Sequence, residues 1–171
     1  MEKILVSACL LGARVRYHGG DAACDHPILQ RWFEEGRLVA VCPERDGGLP
    51  TPRPPAEIVG AGAGHGVVRR LAVVRTSAGV DVTDAFRKGA AIALDAVKRH
   101  GIQIAVLKDG SPSCGSSFIY DGTFAGTRAA GVGVTAALLE SNGVRIFSEH
   151  TLEAAQAYLD EISDFRLQIP D

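Results

Sequence analysis

The sequence predicts an α/β fold, in which a single Rossmann-like domain spanning residues 1–171 carries a mainly parallel sheet with helices on both faces. Short apolar, β-branched runs alternate with longer amphipathic segments along the chain, as βαβ units require. Glycine is frequent, with 20 residues, and only 6% of residues are aromatic, which fits many tight turns between elements. The 46% hydrophobic content is enough for one sizeable core.

The first predicted elements form a strand–helix–strand unit. Pro27 fits the first turn of a helix, where its missing N–H costs nothing, and Asp25 can cap that helix. Trp32 and Phe33 belong to its helically spaced apolar residues, so we expect both in the core. The unit comprises a strand at 4–8, a helix at 26–35 and a strand at 37–41.

The middle of the chain is rich in glycine and proline. Residues 45–55 cannot form a regular element, and long loops of this kind in compact domains are usually functional or disordered. The glycine-rich run 60–66 lacks the strand before it and the helix after it that a phosphate loop needs. We therefore expect a flexible hairpin-like or linker segment at 57–66 that exposes His65, followed by a hairpin of residues 71–75 and 80–82.

The second half again alternates helices and strands. Basic residues suit the end of the first of these helices, and Gly101 stops it. The predicted elements are a helix at 84–100, strands at 102–107 and 117–120, a loop at 126–133, a helix at 134–141, a strand at 144–147, a helix at 152–162 and a loosely packed tail at 164–171.

Charge and hydropathy narrow the classes of partner. The formal net charge of −2 gives no overall attraction to nucleic acid, so a large nucleic-acid partner is not expected, although Arg14, Arg16 and Arg53 can form a local basic patch. No apolar run reaches the length of a membrane span, and the one at 4–8 is too short for a signal peptide. We expect a cytoplasmic protein, in which dispersed cysteines are more often metal ligands or catalytic thiols than disulfides.

Three cysteines stand directly after predicted strands. They are Cys9, Cys42 and Cys114, and Cys114 lies in the loop Lys108–Gly115. Right-handed crossovers place the carboxyl ends of parallel strands at one edge of the sheet, where ligands bind. We therefore expect three thiols from distant parts of the sequence to converge on one crevice.

The spacing leaves several chemistries open. The cysteines can be unrelated buried residues, or one can be a nucleophile paired with His18, His26 or His65. They can also hold an iron–sulfur cluster with one open iron, whereas structural zinc would need close cysteine pairs that are absent from this sequence. Cys24 follows no strand and is expected to be a bystander; if it completes a four-cysteine site, the protein is a non-enzymatic iron–sulfur or redox-sensing module.

Polar residues accompany two of the cysteines. Glu44 lies two positions after Cys42 and is either a general acid or base or a solvated charge. Ser111 and Ser113 lie beside Cys114 and either cap a turn or contact a substrate, while Lys108 and Asp109 are weaker candidates.

Four motifs in order resemble the thiouracil desulfidase family, over nearly the whole chain to about Tyr158. They are Val6-Ser7-Ala8-Cys9-Leu10-Leu11-Gly12, Val41-Cys42-Pro43-Glu44, Gly47-Gly48-Leu49-Pro50-Thr51-Pro52-Arg53 and Ser111-Pro112-Ser113-Cys114-Gly115. The resemblance implies one α/β domain with an oxygen-sensitive 4Fe–4S cluster. It also implies that Cys9, Cys42 and Cys114 are the cluster ligands, with one iron open, and that Glu44 and Ser111 are catalytic.

The reaction implied by the resemblance is removal of sulfur from a thiolated nucleobase, such as 2-thiouracil, to give uracil and sulfide without net redox change. The substrate sulfur would bind the open iron, which polarises the C–S bond for attack by water. The implied partners are therefore a small thiolated base and the iron–sulfur assembly machinery that would supply the cluster.

Overall fold

A computed structural model describes residues 1–168. Its strands are β1 Ile4–Ser7, β2 Leu38–Val41, β3 Ala56–Gly60, β4 Ala72–Thr76, β5 Ile104–Val106, β6 Phe118–Tyr120, β7 Arg128–Ala130 and β8 Arg145–Phe147. Its α-helices are α1 Pro27–Glu34, α2 Pro43–Asp46, α3 Ala63–Val68, α4 Thr83–His100, α5 Val134–Ser141 and α6 Leu152–Leu167, and a 3₁₀ helix spans Ala8–Leu11.

The central sheet has four parallel strands in the order β2-β1-β5-β8. Ile4, Leu5 and Val6 in β1 are all fully buried because the sheet is covered on both faces. Alternation along β1 sends Ile4 and Val6 to one core cluster and Leu5 to another. The predicted α/β class, with a parallel sheet and helices on both faces, is confirmed.

Two pairs of helices cover the sheet. α1 and α6 pack on one face, where Trp32 is fully buried and its indole Nε1 donates to Gln156 Oε1 at 2.9 Å. α4 and α5 cover the other face with small and branched residues such as Ala93 and Leu139. The prediction for Phe33 was wrong: this side chain is 60% exposed, because one residue along a helix turns it about 100° away from Trp32.

The segment 57–66, expected to be a flexible hairpin-like or linker segment, contains instead a regular strand and the start of a helix. β3 pairs antiparallel with β4, and α3 lies between them in the chain. Glycine lowers helix propensity, but here it permits close packing: a Cβ at Gly64 would lie 2.1 Å from the carbonyl oxygen of Gly133. The predicted hairpin with 80–82 forms in part: Arg75 and Asp81 make one antiparallel bridge, and the backbone N–H groups of Thr76 and Val82 donate to the carbonyls of Val80 and Val74, both at 2.9 Å.

Three further segments differ from the sequence prediction. Residues 128–130 form a strand, β7, that pairs with β6 where a loop was expected. A short helix, α2, occupies Pro43–Asp46 at the start of the expected irregular stretch. α6 extends to Leu167, so the first part of the predicted loose tail is helical, while 169–171 lie outside the described residues.

The sheet order brings the functional segments together. β1 has β2 on one side and β5 on the other, so the connection from β2 to β5 crosses back over β1. Such a reversal opens a crevice at the carboxyl ends of the strands. Cys9, Cys42 and the loop 108–115 all follow these ends. Among the helices of residues 1–168, none is long and apolar enough to cross a membrane.

Candidate active site

A cavity of about 370 Å³ lies at this edge of the sheet. Its lining includes the residues that follow β1, β2 and β5, together with Tyr17 and Arg53 from loops and Tyr120 from β6. Cys9, Cys42, Cys114, Glu44, Ser111 and Ser113 all line it. The structure thus brings together the three post-strand thiols and the polar residues that the sequence placed beside them.

We call Cys9, Cys42 and Cys114 the thiol wall of the cavity. Cys9 follows the central strand of the three, with Cys42 after the neighbouring strand on one side and Cys114 after the strand on the other. All three are free thiols; Cys9 and Cys114 are buried and Cys42 is partly buried. Three donors of one chemical type therefore face one space from three neighbouring strands.

The thiols of this wall are hard to ionise individually. Burial raises the pKa of Cys9 to about 11, with Arg16 opposing this effect and Cys42 adding to it. Burial also raises the pKa of Cys114 to about 12, against the hydroxyls of Ser7 and Ser113, and Cys9 raises it further. The pKa of Cys42 is raised mainly by burial. A metal group that binds these thiols must displace their protons.

The donors of the thiol wall are of the type that an iron–sulfur cluster uses. In a 4Fe–4S cluster each cysteine binds a different iron, so its ligands stand around the cluster and do not meet at one point. The three thiols follow three neighbouring strands and line one cavity, an arrangement that fits such ligands. Within residues 1–168, no three Cys, His, Asp or Glu side chains form a group that could hold one metal ion.

Cys24 and the candidate histidines do not line the cavity. Cys24 packs at the edge of the core cluster that contains Cys9, and its backbone N–H donates to the carbonyl of Leu10 at 2.9 Å. Each histidine contacts other groups: His18 accepts from the backbone of Gly20, His26 pairs with Glu153 and His65 pairs with Glu140. A thiol–histidine pair therefore has no geometric support in the described part of the chain.

We call Glu44, Arg53, Ser111 and Ser113 the hydrogen-bonded wall. Arg53 Nε donates to Glu44 Oε1 at 3.2 Å, and the two side chains are only 6% and 16% exposed. The remaining guanidinium nitrogens of Arg53 donate to the carbonyls of Pro50 and Val15 and to Thr51 Oγ1. A buried ion pair with its other donors satisfied holds the carboxylate in one orientation.

The second oxygen of Glu44 meets two serines. Ser113 Oγ donates to Glu44 Oε2 at 3.0 Å, whereas Ser111 Oγ lies 3.5 Å from the same oxygen. Ser111 Oγ also accepts the backbone N–H groups of Ser113 and Cys114, both at 3.2 Å. The two hydroxyls are 2.9 Å apart. This wall is a continuous hydrogen-bonded network from Arg53 to Ser111.

The short helix that carries Glu44 is fixed by close contact with α4. Cys42 is its N-cap residue, so the helix joins the two walls. A Cβ at Gly89 would lie 1.8 Å from the carbonyl oxygen of Pro43, and one at Gly47 would lie 2.1 Å from that of Ala85. Glycine at both positions lets the two backbones approach closely, and this approach determines where Glu44 stands.

Asp109 shapes the loop that carries Ser111 and Cys114. Its Oδ1 accepts backbone N–H bonds from Gly110, Ser116, Ser117 and Phe118, and its Oδ2 accepts from the hydroxyl of Ser117. Burial opposes ionisation of this carboxyl, but these hydrogen bonds together lower its pKa below the ordinary value.

Lys108 joins the same loop to the next strand. Its Nζ lies 2.9 Å from Glu149 Oε2, and Glu149 Oε1 accepts the backbone N–H of Asp109 at 2.8 Å. These two residues, weak candidates from the sequence, act as supports of the loop in this structure.

Sequence reasoning underestimated two residues of the hydrogen-bonded wall. Arg53 was assigned to a local basic patch and ends one of the family motifs, but its contact with Glu44 was not predicted; its side chain is 6% exposed and pairs with that carboxylate. Ser113 was given no catalytic role beside Ser111, yet it is 1% exposed and makes the shorter contact with Glu44. The available signal was an arginine at the end of a stiff proline-rich stretch nine residues after Glu44.

The cavity combines three thiols with a carboxylate. Thiolates select iron–sulfur clusters and other soft metal centres. A carboxylate held by an arginine and hydroxyls can accept a proton from a water molecule at a substrate. The residue types of the two walls are therefore suited to metal binding on one side and proton transfer on the other.

Comparison with known proteins gives three findings. The family model described as 2-thiouracil desulfurase matches residues 4–151. The uncharacterized protein YbbK of Bacillus subtilis (strain 168) is 46% identical over 149 residues, which cover 87% of this chain and 97% of that protein. A solved structure described as the 4Fe–4S-dependent thiouracil desulfidase TudS aligns with a TM-score of 0.86 and 47% identity, over 94% of this chain and 99% of that chain.

Proposed function

The chain belongs to the 2-thiouracil desulfurase family, and we propose that it is an iron–sulfur-dependent desulfidase that removes sulfur from a small thiolated nucleobase such as 2-thiouracil. The observation that carries the proposal is the meeting of three thiols from neighbouring strands with Glu44 and two serines in one cavity. The description of the similar TudS structure as a 4Fe–4S-dependent thiouracil desulfidase supports the same cofactor and substrate class.

Cys9, Cys42 and Cys114 would hold a 4Fe–4S cluster through one iron each, and the fourth iron would have no protein ligand. When bound, the cluster supplies an open iron that acts as a Lewis acid toward the thiocarbonyl sulfur. Cys24 is not among the proposed ligands, since it does not line the cavity. Iron–sulfur assembly machinery would deliver the cluster in the cell.

Glu44 would act as the general base. Arg53 holds Glu44 Oε1, and Oε2 is oriented toward the two serine hydroxyls at the cavity surface. A water molecule near Oε2 can lose a proton to it while the water oxygen bonds to the thiocarbonyl carbon. Ser111 lines the cavity and would orient the base or pass a proton to it.

The proposed reaction is a hydrolysis and balances without electrons. A C–O bond to water forms, the C–S bond breaks with its electron pair on sulfur, and the products are the carbonyl compound and hydrogen sulfide. Two protons leave the water and two reach the sulfur. The residues of the hydrogen-bonded wall therefore need to move protons but not electrons.

The test is anaerobic reconstitution of the wild-type protein with iron and sulfide, followed by incubation with 2-thiouracil. We expect about four irons per chain and release of uracil and sulfide in equal amounts. Glu44→Ala should retain the iron and lose turnover by about 10²-fold or more, as removal of a general base does. The Arg45→Ala variant, on the same short helix, is the matched control and should keep both.

Two results would reject the proposal. One is a fully loaded wild-type protein that leaves 2-thiouracil unchanged. The other is equal turnover by metal-free and loaded protein, which would favour a hydrolase that uses a thiol without metal. Unchanged turnover of Glu44→Ala would remove Glu44 from the mechanism without affecting the proposed cofactor.

A further inference from the structure

Ser113 occupies the centre of the polar network but has no role in the chemistry described so far. Its side chain is 1% exposed, yet its hydroxyl contacts three functional groups. These are Glu44 Oε2 at 3.0 Å, Ser111 Oγ at 2.9 Å and Cys114 Sγ at 3.7 Å. A hydroxyl whose only need was to satisfy a turn would not contact a catalytic carboxylate and a second hydroxyl.

The two serine hydroxyls can exchange a proton in either direction. They lie 2.9 Å apart, and either can donate to the other. Ser111 Oγ also accepts two backbone N–H groups, from Ser113 and Cys114, both at 3.2 Å. While Glu44 is a carboxylate, Ser113 donates to Glu44 Oε2 at 3.0 Å.

The result is one hydrogen-bonded chain that links Glu44 to Ser111 through Ser113. The direct route from Ser111 to Glu44 is longer, at 3.5 Å, than either step through Ser113. All three residues line the cavity, and Ser113 is buried, at 1% exposure. A buried hydroxyl that links a carboxylate to a second hydroxyl has the geometry of a proton relay.

We propose that Ser113 is the relay residue through which Glu44 returns its proton to the substrate by way of Ser111. Once Glu44 has taken a proton from water, its acid O–H donates to Ser113 Oγ. Ser113 passes its own proton to Ser111 Oγ, and Ser111 passes its proton to the departing sulfur side of the substrate.

Each step of the relay breaks one O–H bond as another forms. Both serines end with one proton, Glu44 returns to the carboxylate, and the net change is transfer of one proton to the substrate. This inference rests on the proposed desulfidase function, because it assigns the path of the proton that Glu44 removes from water. Ser113 acts through Ser111 and Glu44, as a positioning residue.

The experiment measures single-turnover rates with 2-thiouracil in mixtures of light and heavy water, with the loaded enzyme in excess. Iron and sulfide contents are determined for every variant. The variants are Ser113→Ala, Ser111→Ala and the double variant. Ser116→Ala is the matched control: it lies in the same loop, its side-chain hydroxyl has no hydrogen bond in the described part of the chain, and it does not line the cavity.

We expect Ser113→Ala to keep its iron and to react about 10²-fold more slowly, a typical contribution of positioned proton transfer. A plot of the wild-type rate against the heavy-water fraction should be curved, since several protons move together. The same plot for Ser113→Ala should be linear. Because the two hydroxyls act in series, the double variant should be no slower than the slower single variant within about threefold.

Several outcomes would overturn the relay. One is a linear dependence of the wild-type rate on the heavy-water fraction, and another is a Ser113→Ala rate within about twofold of the control. A merely structural role for Ser113 would give unchanged curvature in a slowed Ser113→Ala variant or additive losses of rate in the double variant, and either result also overturns the relay. A loaded wild-type enzyme that releases no sulfide rejects the proposed function as well, whereas an active wild type with a normal Ser113→Ala variant rejects the relay alone.

Discussion

The thiol wall and the hydrogen-bonded wall face the same cavity, but different forces hold them. The thiols of Cys9 and Cys114 are buried among apolar residues, and burial raises the pKa of both. Glu44, in contrast, has a partner for each carboxylate oxygen. The strands of the sheet position the thiol wall, and its role depends on the ligand that binds to it. In the hydrogen-bonded wall the side chains already hold one another in place.

The difference separates binding from proton transfer. Changes in the thiol wall should act first on metal binding, because three deprotonated ligands are needed. Changes in the hydrogen-bonded wall should act first on stability and rate, because they leave buried polar groups without partners. Variants of each wall distinguish these two kinds of effect.

Replacement of any thiol of the wall should abolish the cluster. We expect Cys9→Ala, Cys42→Ala and Cys114→Ala each to bind less than about one iron per chain after anaerobic reconstitution, against about four for the wild type. Cys24→Ala is the control and should bind as the wild type does. Loss of iron in Cys24→Ala, with no turnover of 2-thiouracil by the wild type, would support the four-cysteine redox-sensing alternative.

Loss of the buried arginine should affect the other wall most. Arg53→Ala leaves Glu44 buried without its cation, and breaking a buried pair in this way costs about 3 kcal/mol. Denaturation of the metal-free protein measures this free energy of unfolding. Arg45→Ala, an exposed arginine on the same helix, should change it by less than about 0.5 kcal/mol. Equal effects of the two variants would contradict the clamping role of Arg53.

Asp109→Asn should loosen the loop between the two walls. The carboxylate accepts several hydrogen bonds, so we expect a loss of about 2 kcal/mol in the free energy of unfolding at neutral pH. Asp95→Asn, at an exposed site in α4, is the control and should change this free energy little.

The pH dependence provides a second measure of Asp109. Its pKa is lower in the folded protein than the ordinary value of 3.8, so the folded state binds this proton less readily than the unfolded state. The stabilisation is present above pH 3.8 and is lost as the pH falls toward the folded pKa. Asp109→Asn should therefore lose less stability than the wild type on acidification through this range; equal slopes would contradict the assignment.

The smallest effect is expected from the contact that fixes α2. Gly89→Ala improves helix propensity but places a methyl group 1.8 Å from the carbonyl oxygen of Pro43. Because the contact is with backbone, we expect a net loss of about 1 kcal/mol or more in the free energy of unfolding. Lys88→Ala, exposed on the same helix, should be neutral. A stabilised Gly89→Ala variant would show that α2 moves away without cost.

The parallel sheet was predictable because its strands are short apolar runs bounded by clear turn residues. The same pattern predicted the convergence of Cys9, Cys42 and Cys114, since the carboxyl ends of parallel strands share one edge. The region from β3 to β4 was not predictable in this way. Glycines that weaken α3 locally allow it to pack closely in the folded protein, and this contact is absent from the local sequence.

The fold class, the family and the residue types at the sheet edge are readable from the sequence, because they depend on local periodicity, the order of elements along the chain and motif spacing. The contacts within the hydrogen-bonded wall come from the folded structure. Arg53 reaches Glu44, and Ser113 stands between Glu44 and Ser111, only after loops from distant parts of the chain are folded over the edge. Hydrogen-bond direction depends on distances of a few tenths of an ångström, which packing sets and sequence spacing does not encode.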